Sequence, residues 1–336
     1  MRTIENVDVA EIPFDELMAT NVPTVLKGVA RHLPLIVKGL ESPDAAMAHL
    51  KSFEGEKKVV AYTGKPEIGG RFFYNDDLTG LNFEAARYPL HELLDKIKST
   101  LGASDAPSYY IGSTDLDAYL PGLRATDGLV LDDAIFADNP PLVSIWIGNR
   151  TIASAHYDMS NNLACCMVGR RRFTLFPPDQ VSNLYPGPLE PTPGGQVVTM
   201  VDLSAPDFIR FPGFREALEA SYVAELEPGD LLFYPALWWH QVEALDDFNV
   251  MINYWWNTSP AFVDTPQTTL LHGLLSLRDR PEDEKNAWRA LFEYYVFGPA
   301  ELPAAHLPEH ARGNLAPMDE AKARRLRADL LNRLNR

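Results

Sequence analysis

A histidine and an aspartate two positions apart, His156 and Asp158, are the residues of this chain best suited to hold a metal ion. Side chains alternate along a β-strand, so residues two apart aim an imidazole and a carboxylate at one point. His240 follows Asp158 by 82 positions and is the candidate third ligand. Two histidines and one carboxylate leave one face of a metal open, as in non-haem Fe(II) oxygenases. The spacing also allows a packed core histidine bonded to a backbone carbonyl, so it leaves both interpretations open.

Composition narrows the class of protein. The chain has 336 residues, 46% of them hydrophobic, and a formal net charge of −16. The apolar content is enough for one large domain with additions or for two domains. An acidic surface repels phosphates, so we expect no nucleic-acid partner; it suits a neutral or basic peptide substrate. We see no signal peptide and no apolar run near the ~18–20 residues of a membrane span. We therefore expect a cytoplasmic protein with no membrane partner.

Short strands separated by turn signals must position these metal donors. A tight turn is expected at Pro228-Gly229-Asp230, and the Pro- and Gly-rich segment from Ser182 to Ala217 is expected to border a substrate groove. Several short strands around metal donors favour a mainly β fold with a double-stranded β-helix, or jelly-roll, core of the cupin type. The candidate strands from residue 142 onward are Val143–Ile147, Ala164–Val168, Arg172–Phe176, Val197–Val201, Leu231–Phe233 and Val250–Trp255.

The region before this core mixes helix and strand patterns and predicts an N-terminal α/β decoration. Ser42–Ser52 begins with a capping serine and a proline suited to the first helical position. Pro89–Leu101 has leucines at helical spacing. The apolar segments Val22–Gly28 and Leu33–Gly39 are predicted to be short strands that end at glycine. We predict that the decoration and the β core form one domain over residues 1–260.

After Pro260 the pattern becomes helical, and we predict a separate helical region over residues 261–336. A terminal helix with an apolar stripe either packs on its own core or joins a second copy of the chain. We predict a homodimer through these C-terminal helices. The segments with helical spacing are Thr265–Leu277, Pro281–Phe297 and Met318–Arg336, and the last carries the stripe Leu326, Leu330, Leu331 and Leu334.

Two longer motifs carry a specific family resemblance. HYDMSNNLACCMVGRRRFTLFPPDQVSNLYPGPLEP begins at His156, and PGDLLFYPALWWHQVEALDDFNVMINYWW begins at Pro228. Together they resemble the Jumonji C family, in the cupin-like branch typified by the asparaginyl hydroxylase factor-inhibiting HIF. The resemblance is strong from about Val143 to Trp256 and weaker over residues 1–142. After that core it rests on the placement of helices alone.

The resemblance implies a double-stranded β-helix that uses Fe(II) and the cosubstrate 2-oxoglutarate to hydroxylate a C–H group. Matched by position, His156, Asp158 and His240 would be the catalytic iron ligands. Arg171 stands where the branch has a lysine that holds the distal carboxylate of 2-oxoglutarate. An arginine can hold a carboxylate bidentately, but it is longer and planar, so the pocket must differ. The remaining matches to the cosubstrate pocket are Tyr110, Asn162, Asn253 and Trp255.

Two departures from the branch concern this pocket. The first is Arg171, and the second is Ala153, at a position where the branch has a threonine. Ser154 and Thr151 are candidates to supply the lost hydroxyl. For each amide and aromatic of the pocket, core packing is the alternative interpretation, and for Arg171 it is a solvated strand position.

The resemblance to an asparaginyl hydroxylase and the acidic surface favour a dioxygenase that hydroxylates a protein or peptide side chain. Other relatives act on small molecules, which stay possible substrates. The alternatives from other classes are a non-redox, metal-binding cupin, such as an isomerase or a small-molecule binding module, and a pseudoenzyme scaffold that works through its C-terminal helices. The intact His–Asp–His set argues against the scaffold, and turnover of 2-oxoglutarate separates the dioxygenase from the non-redox cupin.

Overall fold

Alternating apolar segments between turn signals form fourteen β-strands within residues 1–335, which this computed structural model describes. The strands are β1 (Arg2–Glu5), β2 (Thr24–Lys27), β3 (Val59–Gly64), β4 (Arg71–Phe72), β5 (Phe83–Tyr88), β6 (Ser108–Asp115), β7 (Leu142–Gly148), β8 (Ile152–Tyr157), β9 (Asn161–Val168), β10 (Arg171–Phe176), β11 (Tyr222–Leu226), β12 (Leu231–Tyr234), β13 (Trp239–Ala244) and β14 (Asn249–Trp256).

The strands form two facing sheets. The larger has the order β1-β2-β12-β9-β14-β7-β6-β3-β5, and the smaller has the order β11-β10-β13-β8-β4. The eight strands β7–β14 divide equally between the sheets and pair antiparallel, which is a double-stranded β-helix. The N-terminal strands extend the larger sheet at both edges. This architecture confirms the predicted fold class.

The central strands of the larger sheet are buried on both of their faces. All eight residues of β9 are buried, and its two adjacent cysteines belong to different apolar clusters. Cys165 lies in the cluster that also contains the N-terminal helices, whereas Cys166 lies in the cluster between the sheets. A sheet covered on both faces produces continuous apolar runs rather than alternation. Apolar side chains therefore fill most of the space between the two sheets, and polar side chains line the part of it that stays open.

Helices of the N-terminal region cover the outer face of the larger sheet, and further helices come after the last strand in the chain. The predicted cap is confirmed, because the Ser42 hydroxyl accepts a hydrogen bond from the Ala45 amide at 3.1 Å. The described α-helices are α1 (Phe14–Thr20), α2 (Pro34–Glu41), α3 (Pro43–Lys51), α4 (Leu90–Lys98), α5 (Leu116–Tyr119), α6 (Leu123–Asp127), α7 (Phe214–Glu219), α8 (Pro266–Ser276), α9 (Glu282–Phe292) and α10 (Glu320–Leu334).

Two of the predicted strands are wrong. Leu33–Gly39 lies largely in helix α2, which starts with Pro34 at its first position and buries Leu35 and Ile36. A short apolar run does not distinguish a buried helix from a strand, and here the proline fixes the helical start. Val197–Val201 makes an isolated bridge to Pro186 instead of a strand in the described chain. Its valines are buried but make no continuous hydrogen bonding to a neighbouring strand, so the apolar run resembled a buried strand in the sequence.

Packing divides the chain into two units, Met1–Asn257 and Thr258–Arg336, and the sequence-based boundary was residue 260. The second unit contains α8–α10, and a π-helical turn over Glu293–Phe297 follows α9. These three helices bury none of their described side chains. Arg336, the last residue of the predicted terminal helix, lies outside the described residues. Among residues 1–335, no helix combines the length and apolar character that crossing a membrane requires.

The predicted turn at Pro228-Gly229-Asp230 fixes β12 against β2. The buried Asp230 carboxylate accepts hydrogen bonds from the amides of Gly28 at 2.9 Å and Glu227 at 3.0 Å. It also pairs with the Lys27 ammonium at 2.6 Å. Gly229 has a φ of +97°, and a Cβ there would lie 2.5 Å from Arg31 Cγ, so this turn requires glycine.

We predict that Asp230→Ala lowers the free energy of unfolding by about 2–4 kcal/mol, because two backbone amides lose their acceptor and an ammonium loses its partner. Urea unfolding followed by circular dichroism measures the change. The control is Asp105→Ala at an exposed loop position, which should unfold like the wild type. Equal midpoints for both variants would contradict the role of the turn.

Candidate metal centre

Strand register brings the three candidate metal ligands together. His156 on β8 lies opposite His240 on β13, with ring centroids 4.4 Å apart. Asp158 lies just beyond the end of β8, and its Oδ2 is 3.6 Å from His240 Nε2. One donor atom from each residue lies within 4.8 Å of the others. Two imidazoles and a carboxylate are a suitable donor set for Fe(II), and their role as ligands stays a prediction.

Both histidines are held by the same kind of hydrogen bond. His156 Nδ1 donates to the carbonyl of Ser154 at 2.9 Å, and His240 Nδ1 donates to the carbonyl of Trp238 at 3.0 Å. A carbonyl can only accept, so Nδ1 carries a proton, and in the neutral form of either ring Nε2 keeps the lone pair that binds a metal. His240 thus is a buried histidine bonded to a carbonyl, and that bond is what prepares it as a ligand.

Burial also favours the neutral imidazole. Desolvation, with a smaller contribution from the neighbouring His156, lowers the pKa of His240 to about 4, while Asp158 opposes the change. His240 is therefore uncharged at neutral pH. Neutral imidazole is the form that binds a metal ion, so no proton has to leave first.

A cavity of about 30 Å³, which we call the inner cavity, lies between the two sheets beside these residues. The smaller sheet contributes the histidines and Arg171, and the larger sheet contributes aromatic and amide side chains. Residues from both sheets thus face one space. The sequence resemblance predicts that the metal and the cosubstrate bind there. The lining residues used below are Tyr110, His156, Asp158, Arg171, His240 and Asn253.

Arg171 is buried, with 2% of its surface exposed, whereas its neighbours Arg170 and Arg172 form exposed ion pairs. Its Nε and Nη2 have no hydrogen-bond partner among the described residues. Burial lowers the pKa of Arg171, and interactions with Cys166 and Tyr110 oppose this. A buried guanidinium without an anion is strongly unfavourable. The surroundings of Arg171 therefore fit a bound anion, and the solvated strand position is wrong.

Tyr110 lies on β6 and lines the inner cavity together with Arg171. Burial raises the pKa of Tyr110 well above its usual value, and the positive charge of Arg171 opposes the shift. The phenol therefore stays protonated and can donate a hydrogen bond. A guanidinium and a phenol in one cavity are a suitable pair for a carboxylate.

The three remaining cosubstrate candidates form one hydrogen-bonded group. Asn253 Nδ2 donates to Asn162 Oδ1 at 2.8 Å, and Trp255 Nε1 donates to the same oxygen. Asn253 lines the inner cavity, and its Oδ1 has no partner among residues 1–335. Asn162 and Trp255 are not among the lining residues of that cavity. They support Asn253, and their predicted contact with a cosubstrate stays a prediction.

Ala153 lines the inner cavity, so the missing threonine hydroxyl leaves an apolar wall. Neither proposed substitute is among the described lining residues of this cavity. The Ser154 hydroxyl accepts a hydrogen bond from Arg71 Nε at 3.1 Å, and Thr151 is buried just before β8. Among the described residues, the hydroxyl groups that line the inner cavity are those of Tyr110 and Tyr234.

A second cavity, of about 150 Å³, shares Tyr110, Trp146, Ala153 and His156 with the inner cavity, and we call it the outer cavity. The segment that was expected to border a substrate groove contributes four lining residues between Pro193 and Val198. The sequence analysis named Tyr110 but missed the other four aromatic rings of this cavity. They come from strands that meet only in the fold, and the aromatic cluster after Arg71 was their one visible signal. The rings are Tyr62, Phe72, Phe83, Tyr110 and Trp146.

Comparison with known proteins assigns the chain to a family. Residues 10–262 match the family model described as a cupin-like domain. Human HSPB1-associated protein 1 is 34% identical over 150 residues, 43% of this chain and 30% of that protein. tRNA wybutosine-synthesizing protein 5 of Danio rerio is 33% identical over 128 residues, 38% of this chain and 34% of that protein.

Lysine-specific demethylase 8 of Xenopus tropicalis matches over a longer segment, with 25% identity over 254 residues, 72% of this chain and 50% of that protein. This chain therefore spans half or less of the length of each of these relatives. The family match covers the whole double-stranded β-helix and all three candidate metal ligands. The chain belongs to the cupin-like, Jumonji C-type domain family.

Proposed function

We propose that this protein is an Fe(II)- and 2-oxoglutarate-dependent dioxygenase that hydroxylates a side chain of a protein or peptide. The observation that supports it is the composition of the inner cavity. A His–Asp–His donor set and a buried arginine without an anionic partner, among the described residues, face the same space. A metal alone would leave Arg171 unpaired, and an anion alone would leave the metal donors unused. A metal with a dicarboxylate satisfies both.

The chain would hold these groups with few side chains. His156 Nε2, His240 Nε2 and the Asp158 carboxylate would hold Fe(II), and Arg171 with Tyr110 would hold the distal carboxylate of 2-oxoglutarate. When bound, Fe(II) supplies oxygen activation coupled to decarboxylation of 2-oxoglutarate to succinate and CO2, with insertion of oxygen into a C–H bond. The packed sheets exclude water from the buried Arg171 guanidinium, which strengthens its interaction with a carboxylate.

The names of the relatives and the charge of the chain support a protein substrate. One relative is named as a lysine-specific demethylase and another as associated with HSPB1, a protein. A third is named for the synthesis of a tRNA base. The net charge of −16 disfavours an RNA backbone, so we propose a polypeptide rather than a nucleic acid. The two free, buried cysteines fit the proposed cytoplasmic location.

We predict that Fe(II)-loaded protein converts 2-oxoglutarate to succinate when oxygen is added, and that His240→Ala does not. The variant loses one of three metal donors that no other group replaces. Anaerobic loading followed by NMR detection of succinate measures this. His272→Ala, an exposed histidine of α8, is the matched control and should keep wild-type turnover. No succinate from a wild type that binds metal tightly would favour the non-redox cupin instead.

We predict that Arg171→Gln raises the KM for 2-oxoglutarate by about tenfold to a hundredfold, because it removes a charged hydrogen bond worth about 1.5–3 kcal/mol. Metal affinity should not change. Ligand-free Arg171→Gln should unfold at the same or a higher temperature, since it loses an unpaired buried charge. Arg172→Gln, one position along the same strand but exposed, is the control and should keep the wild-type KM. An unchanged KM in Arg171→Gln would remove Arg171 from the cosubstrate site.

We also propose that the C-terminal helices join a second copy of the chain. In α10 three of the four leucines of the stripe are exposed, with 48% for Leu330, 55% for Leu331 and 52% for Leu334, and Leu326 is half-buried. Helices in water are stabilised mainly by packing of an apolar face, and these helices bury no side chain in the described chain. In a two-fold dimer both copies of the chain use the same surface, so the exposed apolar face of one copy would pack against the same face of the other.

We predict that the double variant Leu330→Asp, Leu331→Asp runs as a monomer, whereas the wild type runs as a dimer, because two charges would be buried at the contact. Light scattering coupled to size-exclusion chromatography measures the mass. The control Asn332→Asp adds a charge on the side of the same helix turned away from Leu330 and Leu334, and this variant should remain dimeric. A monomeric wild type, or a dimeric double variant, would contradict the prediction.

A further inference from the structure

We propose that the outer cavity admits an uncharged, apolar side chain, aromatic or branched aliphatic, and excludes the charged ends of lysine, aspartate and glutamate. The inference rests on the proposed function and names the substrate class of that site. The position of the cavity supports it. His156 and Tyr110 line both cavities, so a group that fills the outer cavity lies next to the metal donors.

The wall of the outer cavity is a continuous layer of aromatic rings, one from each of the strands β3–β7. The Phe83 ring packs edge to face on Tyr62 and on Phe72, with centroids 5.1 and 5.2 Å apart. Phe72 lies 5.5 Å from Tyr110, which lies 6.0 Å from Trp146. The rings already contact one another, so they form one apolar wall rather than separate faces around a space. A flat or branched apolar group packs well against such a wall.

Charged groups are missing from this lining within the described residues. None of the residues around the outer cavity is Asp, Glu, Lys or Arg. The nearby Arg71 is already engaged: it donates to Ser154 Oγ and to the carbonyl of Val201, and its guanidinium lies 3.8 Å from the Phe73 ring centroid. Asp158 lines the inner cavity, where it belongs to the metal donor set. An ammonium or carboxylate entering the outer cavity would lose water without gaining an ionic partner.

A glycine keeps the space over these rings open. The pairing of β6 with β7 shifts between Ile111 and Thr114, and the two residues in this bulge, Gly112 and Ser113, both line the outer cavity. A Cβ on Gly112 would lie 3.3 Å from the Tyr62 ring and 3.5 Å from the Trp146 ring. Bulges and strand glycines are found where a ligand comes close to the backbone. A larger residue at position 112 would occupy the place that we assign to the substrate side chain.

The rim of the cavity is polar but uncharged. Ser113 and Gln196 lie among its lining residues, and a Cβ on the neighbouring Gly194 would meet no atom within 4 Å. Hydroxyl and amide groups can exchange hydrogen bonds with a peptide backbone, while the rings bind the side chain. A free amino acid would use the same chemistry, so the experiment separates these two sources.

Binding to the full-length protein tests the proposal without turnover. The probes are the N-acetyl amides of phenylalanine, leucine, lysine, trimethyllysine and aspartate, together with adenosine, each titrated by calorimetry. We expect phenylalanine or leucine to bind at least about tenfold more tightly than lysine or aspartate. Tighter binding of trimethyllysine or of adenosine would overturn the proposal, because it would identify a cation or a nucleobase as the ligand. A pentapeptide with central phenylalanine that binds more tightly than the single residue supports a polypeptide source, and equal affinity supports a small molecule; both results support the apolar class.

Two variants connect the binding to the cavity. Gly112→Val should weaken binding of the apolar probe about tenfold, because its side chain would occupy the outer cavity beside the rings of Tyr62 and Trp146. Gly273→Val, at an open position of α8, is the matched control. Phe83→Glu should shift the preference towards lysine, because it places a carboxylate on the wall. Val223→Glu adds the same charge at an exposed position of β11 and should not shift it.

The results separate this proposal from the proposed function. Apolar selectivity that Gly112→Val removes, without succinate from any variant, would support the apolar site and overturn the dioxygenase. Succinate formation with equal binding of all probes would support the dioxygenase and overturn the apolar site. Unchanged selectivity in both Gly112→Val and Phe83→Glu would show that the probes bind elsewhere and would overturn the proposal. If Phe83→Glu does not fold, Gly112→Val and its control still decide the result.

Discussion

The buried positive charge of Arg171 is the constraint on which the interpretation of the inner cavity depends. It stands on β10 with no acceptor for Nε or Nη2 among residues 1–335, in a space whose other polar groups include the neutral imidazole of His240, the protonated phenols of Tyr110 and Tyr234, and an amide. Asp158 is the one acid in this lining, and it also faces His240. Fe(II) and Arg171 together would carry three positive charges, which Asp158 and a doubly negative ligand would balance. The proposed cosubstrate thus completes the charge balance of the interior.

The histidine pair depends on the two-residue period of β-strands in two ways. The period aims His156 and Asp158 to one side, and it also brings each imidazole back to the carbonyl two residues earlier, at Ser154 and Trp238. The same local geometry therefore sets both the direction of the ring and the nitrogen that carries the proton. Cross-strand pairing of β8 with β13 then supplies the distance between the rings. The metal donors need little support from loops, which suits a site that must keep its geometry.

The sequence was sufficient where local rules decide the outcome. Alternation, capping and turn chemistry are local rules. They predicted the common direction of His156 and Asp158, the capped start of α3 and the strands around both motifs. It was insufficient where pairing between distant strands decides. The resemblance selects Arg171 among three adjacent arginines but leaves a solvated position open, and its burial is fixed only when β10 lies between β11 and β13. The rings of the outer cavity likewise become neighbours only when β3–β7 assemble, and α2 was mistaken for a strand because its apolar run is short.

The two cavities have different proposed roles: the inner cavity binds the metal and the cosubstrate, and the outer cavity selects the substrate. The inner cavity contains the donors and the cation that the sequence resemblance predicts, and the proposed function assigns them to a metal and a cosubstrate. The outer cavity is where this chain can differ, and its uncharged aromatic wall contrasts with the net charge of −16 of the whole protein. Long-range attraction favours a basic or neutral partner, whereas the wall selects an apolar side chain at short range. Both conditions hold together for an apolar residue that is flanked by lysine or arginine, which narrows the search for a substrate more than either condition alone.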